Sequence, residues 1–165
     1  MSIEIAPMRL RHLRGVVRIE RATSHRPWST NLFQGELKLT SRHYVVALDG
    51  ATVVGYGGLM FTGYEAHVTL VAVDPERHRQ GIGAQVMGEL MEECGRRGIE
   101  DVTLEVRMSN HAAQELYRRF GFAPGGVRKG YYSDVGEDAL IMWAHDVSAV
   151  PSNAHHSERG IGGSR

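Results

Sequence analysis

The run AHVTLVAV, the stop at Asp74-Pro75, the segment HRQGIG from His78 to Gly83 and the pattern that follows fix a strand, a glycine loop and a helix in succession. Strand alternation ends at Val73. From about Ile82 to Arg97, Val86, Leu90 and Met91 recur on one helical face. A helix that starts from a glycine loop presents unpaired N–H groups and the positive end of its dipole, which together hold anions such as a pyrophosphate. The loop is neither GxxxxGK[ST] nor GxGxxG. On these residues alone two readings stand open: an anion cradle with Arg77 and Arg79 adding charge, or an ordinary glycine turn with solvated arginines.

The rest of the chain reads as mixed α and β. Ile3 to Met8 is a strand, and Arg11 to Ala22 places Leu13, Val16, Val17 and Glu20 at helical spacing. Glu20 is expected to pair on the surface with Arg18 or Arg21, and Trp28 to anchor the core. Ser29 is the N-cap of a helix over Thr30 to Leu39. HYVVAL, Asp49-Gly50 and TVVGYGGLMF predict a hairpin with a type I′ turn. DVTLEV is the next strand, Asn110 caps HAAQELYRRF, Gly121 ends that helix, and FAPGGV and ALIMWAHDV are the last strands.

These elements make one domain over residues 1–148. The remainder, residues 149–165, is rich in Ser, Gly and His without apolar periodicity and reads as a disordered tail. His155-His156 lacks further ligands at metal-site spacing. Lys+Arg and Asp+Glu number 19 each, so the zero net charge recommends neither nucleic acid nor an anionic membrane as partner, and electrostatic recognition must be local. Cys94 is the only cysteine, which leaves no internal disulfide and makes it a buried small hydrophobe. With no signal-like segment and no apolar run of about 18 residues, a cytoplasmic protein is expected.

VAVDPERHRQGIG followed by LEVRMSNHAAQELYRRFGF resembles the GNAT N-acetyltransferases, whose acetyl-CoA motif is R/Q-x-x-G-x-G/A between a strand and a long helix. His78 stands at the first position of that motif. The cradle needs amides and glycines and survives the change; the side-chain contribution is what the departure touches. IERATSHRPWS, LEVRMSN, LYRRFGF and VRKGYYSD are similar to the RimI type, the ribosomal-protein alanine N-acetyltransferases. The resemblance covers roughly Ile3 to Val147. It implies an α/β GNAT fold: a mixed central sheet with an antiparallel meander, flanking helices and a splayed strand pair that receives the coenzyme.

The resemblance also implies roles. His78, Arg79, Gln80, Gly81, Ile82 and Gly83 would hold the acetyl-CoA pyrophosphate, backbone groups of Val71 and Val73 its pantetheine arm, and Asn110 a further coenzyme contact. Glu105 matches the family's general base, acting through water, and Tyr117 the acid beside the thioester sulfur. Tyr131 and Tyr132, in a loop between two strands, would contact the substrate peptide. Read from the residues only, Glu105 is a strand side chain opposite Leu104 and Val106, Tyr117 a core tyrosine with its hydroxyl at the edge, and Asn110 an N-cap. The acceptor implied is a protein N-terminal α-amine, for the RimI type that of a ribosomal protein, acetylated by direct attack in a ternary complex without a metal. A lysine or small-amine acceptor and a non-catalytic acetyl-CoA-sensing module are the alternatives.

Overall fold

In the computed structural model, which describes residues 2–132 and 136–149, the strands are β1 (Ile3–Pro7), β2 (Arg42–Asp49), β3 (Thr52–Thr62), β4 (Glu65–Val73), β5 (Asp101–Arg107), β6 (Ala123–Tyr132) and β7 (Glu137–Ala144). The helices are α1 (Leu13–Thr23), α2 (Thr30–Leu37), α3 (Ile82–Arg96) and α4 (His111–Arg119). All seven strands join one sheet in the order β1-β2-β3-β4-β5-β7-β6. Only the β4–β5 contact is parallel. The mixed sheet with its β2–β3–β4 meander is the one the sequence leads us to expect.

Strand alternation sorts the side chains into two cores. Val45 and Ala47 of β2 join Val86, Leu90, Leu104 and Met142 under α3, while Val46 and Leu48 join Val16, Ile19, Phe33 and Tyr56 under α1 and α2. Each such side chain, fully buried, stabilises the fold by roughly 1.5–3 kcal/mol. Cys94 is buried in the first core, as expected, and desolvation pushes its thiol up to about 12. Gly57 lets α3 lie close on β3, since a Cβ there would stand 2.5 Å from Val86 Cγ1.

The register explains the shape of the sheet. β4 and β5 pair over only three positions, Glu65 with Asp101, Ala66 with Val102 and His67 with Thr103. Beyond His67, β4 stays with β3 as far as Val73, and β5 stays with β7 as far as Arg107. The two strands therefore part. A bulge sits at the parting: Leu59 pairs with Val68 and Gly58 with Leu70, so Thr69 is extra on β4. An extra residue bends and twists its strand.

Several expectations need correction. Asp49 pairs with Thr52, so the hairpin turn is Gly50-Ala51; only Gly50 has positive φ (+61°), the pattern of type II′ rather than I′. The first helix begins as a 3-10 turn over Leu10–His12, and α2 stops at Leu37 because its last turn closes with 3-10 bonding at Lys38 and Leu39. β6 runs on to Tyr132, well past FAPGGV: it pairs with β7 from Ala123 to Arg128 and, past an irregularity, again at Tyr132 with Glu137. Of the expected tail, only Ala149 is described, within a 3-10 turn; the rest of that segment, including His155-His156, lies outside the described residues. Among the described residues no helix is long and apolar enough to cross a membrane.

Glu20 makes no surface pair. It is 3% exposed; its Oε1 accepts from Tyr56 Oη at 2.5 Å and its Oε2 from the Trp28 amide at 3.0 Å. Arg18 instead donates to Asp74 and to the Val53 carbonyl. A buried carboxylate needs donors, and here it fixes the α1–α2 connection onto β3, with Trp28 packed on Phe33 and Tyr44 beside it. Tyr56→Phe removes one donor from that charge and should lower unfolding free energy by about 1.5–3 kcal/mol in urea titration; a loss under about 0.5 kcal/mol would show that Glu20 does not depend on it.

Candidate active site

HRQGIG lies between the end of β4 and the start of α3. Arg79 and Gly81 both have positive φ, +65° and +76°. Glycine takes that conformation freely, whereas an arginine does so at roughly 1–2 kcal/mol. Backbone that passes in and out of the left-handed region forms concave N–H nests that bind anions. Gly81 is also the N-cap of α3, whose dipole acts at the same place. A Cβ on Gly81 would meet nothing within 4 Å, so the backbone is open to an approaching group.

The side chains around it divide. His78, Arg79 and Gln80 are exposed, while Ile82 is buried and can offer only its amide. Gly83 is tied to packing, since a Cβ there would lie 3.2 Å from Leu116 Cδ2 of α4. Arg77 does not stand free beside the cradle: its Nη1 donates to Asp49 Oδ2 at 2.8 Å, which braces the hairpin. Val71 and Val73 pair with Gly57 and Gly55 on one side only, which leaves their other edge facing the gap opened by β5. That edge is what a peptide-like chain can pair with.

On β5, burial alternates as the sequence predicts, with Leu104 and Val106 in the core under α3 and Glu105 on the opposite face. Glu105 has two partners that sequence reasoning did not supply. Its Oε2 meets His67 Nε2 at 2.9 Å, and its Oε1 accepts from Arg128 Nη1 at 3.2 Å. The bond from His67, helped by the charges of His67 and Arg128, holds the carboxyl below the usual glutamate range despite burial. His67 is the last residue of β4 still paired with β5, so its contact with Glu105 sits at the mouth of the gap.

Tyr117 belongs to the core that includes Leu104 and Val106, so it and Glu105 stand on the two faces of β5. Its ring meets Phe122 edge to face at 6.1 Å, and burial pushes its hydroxyl up to about 12. It is therefore protonated at neutral pH and able to donate. Asn110 caps α4 by accepting from the Ala113 amide at 3.1 Å. Gln114, which sequence reasoning passed over, is buried and donates to the carbonyls of Arg107 and Met108 at 3.0 Å each, fixing the turn between β5 and α4.

Tyr131 and Tyr132 are not in a loop; they end β6, with rings edge to face at 5.0 Å. Arg128 lies over Tyr131 at 4.6 Å and Arg107 over Tyr132 at 4.8 Å. Tyr131 is 43% exposed, Tyr132 partly buried. Arg128 thus touches both the carboxylate of Glu105 and an exposed aromatic. Away from this site, His43, Glu89 and Glu93 bring donor atoms within 4.8 Å of one another, but Arg96 and Arg97 engage the carboxylates.

A carboxyl whose folded-state pKa is depressed stabilises the fold above its ordinary value and loses that contribution as pH falls through the folded value. For Glu105 the ordinary value is 4.5. The stability difference between the parent protein and Glu105→Gln should be full above about pH 5 and shrink below about pH 4 in urea titrations. A difference that grows toward acid would contradict the arrangement.

The comparisons with known proteins agree with this geometry. The model of the acetyltransferase (GNAT) family matches residues 11–122. N-alpha-acetyltransferase RimI of Mycobacterium tuberculosis is 41% identical over 120 residues, which cover 70% of this chain and 74% of that protein. The ribosomal protein bS18-alanine N-acetyltransferase of Escherichia coli is 36% identical over 133 residues, covering 75% and 84%. The crystal structure of the ribosomal-protein-S18-alanine N-acetyltransferase from Escherichia coli superposes with a TM-score of 0.80 at 29% identity, over 88% of this chain and 94% of that one. The parted β4 and β5, the glycine cradle and these likenesses place the chain in the acetyltransferase (GNAT) family, among its RimI-type members.

Proposed function

We propose that this acetyl-CoA-dependent N-acetyltransferase acetylates the N-terminal α-amine of a protein, by direct attack of the amine on the thioester in a ternary complex. The name of the Escherichia coli relative points to a ribosomal protein as the acceptor. The observation that carries the reading is the gap between β4 and β5, which has Glu105 on one face of β5 and Tyr117 on the other. Acetyl transfer needs proton removal from the amine on one side and a donor for the departing thiolate on the other. The two faces supply one each.

In this reading the pyrophosphate rests on the amides of residues 80–83, the pantetheine arm pairs with the free edge of β4 at Val71 and Val73, and Asn110 adds a coenzyme contact at the start of α4. The exposed Arg79 supplies positive charge near the cradle, and the exposed His78 a polar side chain beside it. Glu105 provides the negative charge on which proton removal depends. Tyr117 protonates the sulfur or orients it. Tyr131 and Tyr132, with Arg128 and Arg107 stacked on them, form the acceptor side and hold the first residues of a chain end.

Acid–base chemistry favours the α-amine. It titrates at about 7.7–8.0 and a lysine at about 10.4, so lysine starts roughly 2.4–2.7 pK units further from its nucleophilic form. A carboxylate held below its usual range cannot make up that difference. The test uses peptides that differ only in a blocked N-terminus or an absent lysine, incubated with acetyl-CoA and read by mass spectrometry. Acetylation should vanish on blocking the α-amine and persist without lysine. The reverse pattern would make this a lysine acetyltransferase, and coenzyme binding with no acetylated peptide would make it a sensing module.

A further inference from the structure

Both oxygens of Glu105 are already engaged, Oε2 with His67 Nε2 at 2.9 Å and Oε1 by Arg128 Nη1 at 3.2 Å. Each partner favours the ionised carboxylate. An α-ammonium titrating at about 7.7–8.0 would have to pass its proton uphill by more than about three pK units to such a group. The imidazole beside it spends only one of its two nitrogens on Glu105.

Given that the gap between β4 and β5 is the transferase site, we propose that His67, and not Glu105, takes the proton from the acceptor amine. Glu105 accepts from Nε2–H, fixes that tautomer and leaves the Nδ1 lone pair free; the carboxylate then stabilises the imidazolium. Through a water, one N–H bond of the ammonium breaks and an Nδ1–H bond forms. The neutral amine attacks the thioester carbon, and the C–S bond breaks as the tetrahedral adduct collapses. Of the amine's two remaining protons, one stays on the amide and one goes to the sulfur by way of Tyr117 or water. The proton on His67 returns to solvent, so the products are acetamide, thiol and one proton. The charged groups facing the pair are Arg128 from β6, which opposes the imidazolium, and Glu105 from β5, which favours it; Arg107 and Glu137 surround the neighbouring Tyr132.

His67→Gln keeps a donor toward Glu105 but does not titrate. With a free-amine peptide and saturating acetyl-CoA it should lose about 10²-fold or more in kcat, keep its KM for acetyl-CoA, and lose the acid limb of the kcat–pH profile. Imidazole in the buffer should restore part of the rate to His67→Ala. A kcat within about twofold of the parent, or a loss that leaves the limb intact and resists imidazole, would overturn the assignment. Independently of turnover, ¹⁵N NMR of the imidazole should show Nε2–H at alkaline pH and protonation at Nδ1. The opposite tautomer overturns the proposal even if the parent protein acetylates no peptide, an outcome that would instead strike the α-amine reading.

Discussion

The parting of β4 from β5 is the constraint on which the site depends. Parallel neighbours ordinarily continue to exchange hydrogen bonds along their length, and these two stop after three pairs. The bulge at Thr69 bends β4 away directly after His67, while β3 and β7 keep the two strands in the sheet by their outer edges. The result is an unpaired strand edge inside a sheet, a costly feature unless a ligand with peptide-like groups completes it. The proposed chemistry lies along that opening. The cradle is at the far end of β4, His67 and Glu105 at the mouth, and Tyr117 on the α4 side.

Two carboxylates show how surroundings set different tasks. Glu20 is buried with Tyr56 and the Trp28 amide and holds an interhelical connection in place. Glu105 is less deeply set, with 14% of its side chain exposed, and is matched to an imidazole and a guanidinium. The Arg128 guanidinium also covers Tyr131, so the proposed acceptor side and the proposed proton-handling side share one side chain. An arriving chain end that displaces Arg128 from Tyr131 would alter the charge beside Glu105 in the same event.

Local patterns made the elements legible. Alternation named the strands and both faces of β5, helical spacing named α1 and α3, and Ser29 and Asn110 accept from the amides that an N-cap should satisfy. The glycine loop on its own left a cradle and an ordinary turn both open, and the positive φ at Arg79 and Gly81 is the geometry a cradle needs. Partners distant in sequence were illegible. Glu20 meets Tyr56 across 36 residues, and no spacing rule selects that tyrosine over the two neighbouring arginines. His67 was passed over because its meaning depends on β4 and β5 being parallel neighbours in one register, which a strand pattern does not encode. The flanking glycines make Tyr131 and Tyr132 look like a loop, yet β6 continues through both and Tyr132 pairs with Glu137 of β7.

Amide hydrogen exchange with and without acetyl-CoA, read residue by residue, tests the role of the open edge most directly. If the parted strands receive the coenzyme, the amides of residues 68–73 that face the gap and those of residues 80–83 gain protection together on adding it, while β1 and β2, already paired at the far edge, stay as they were. Protection confined to residues 80–83, or spread evenly over the sheet, would contradict the assignment of the β4 edge as the coenzyme's seat.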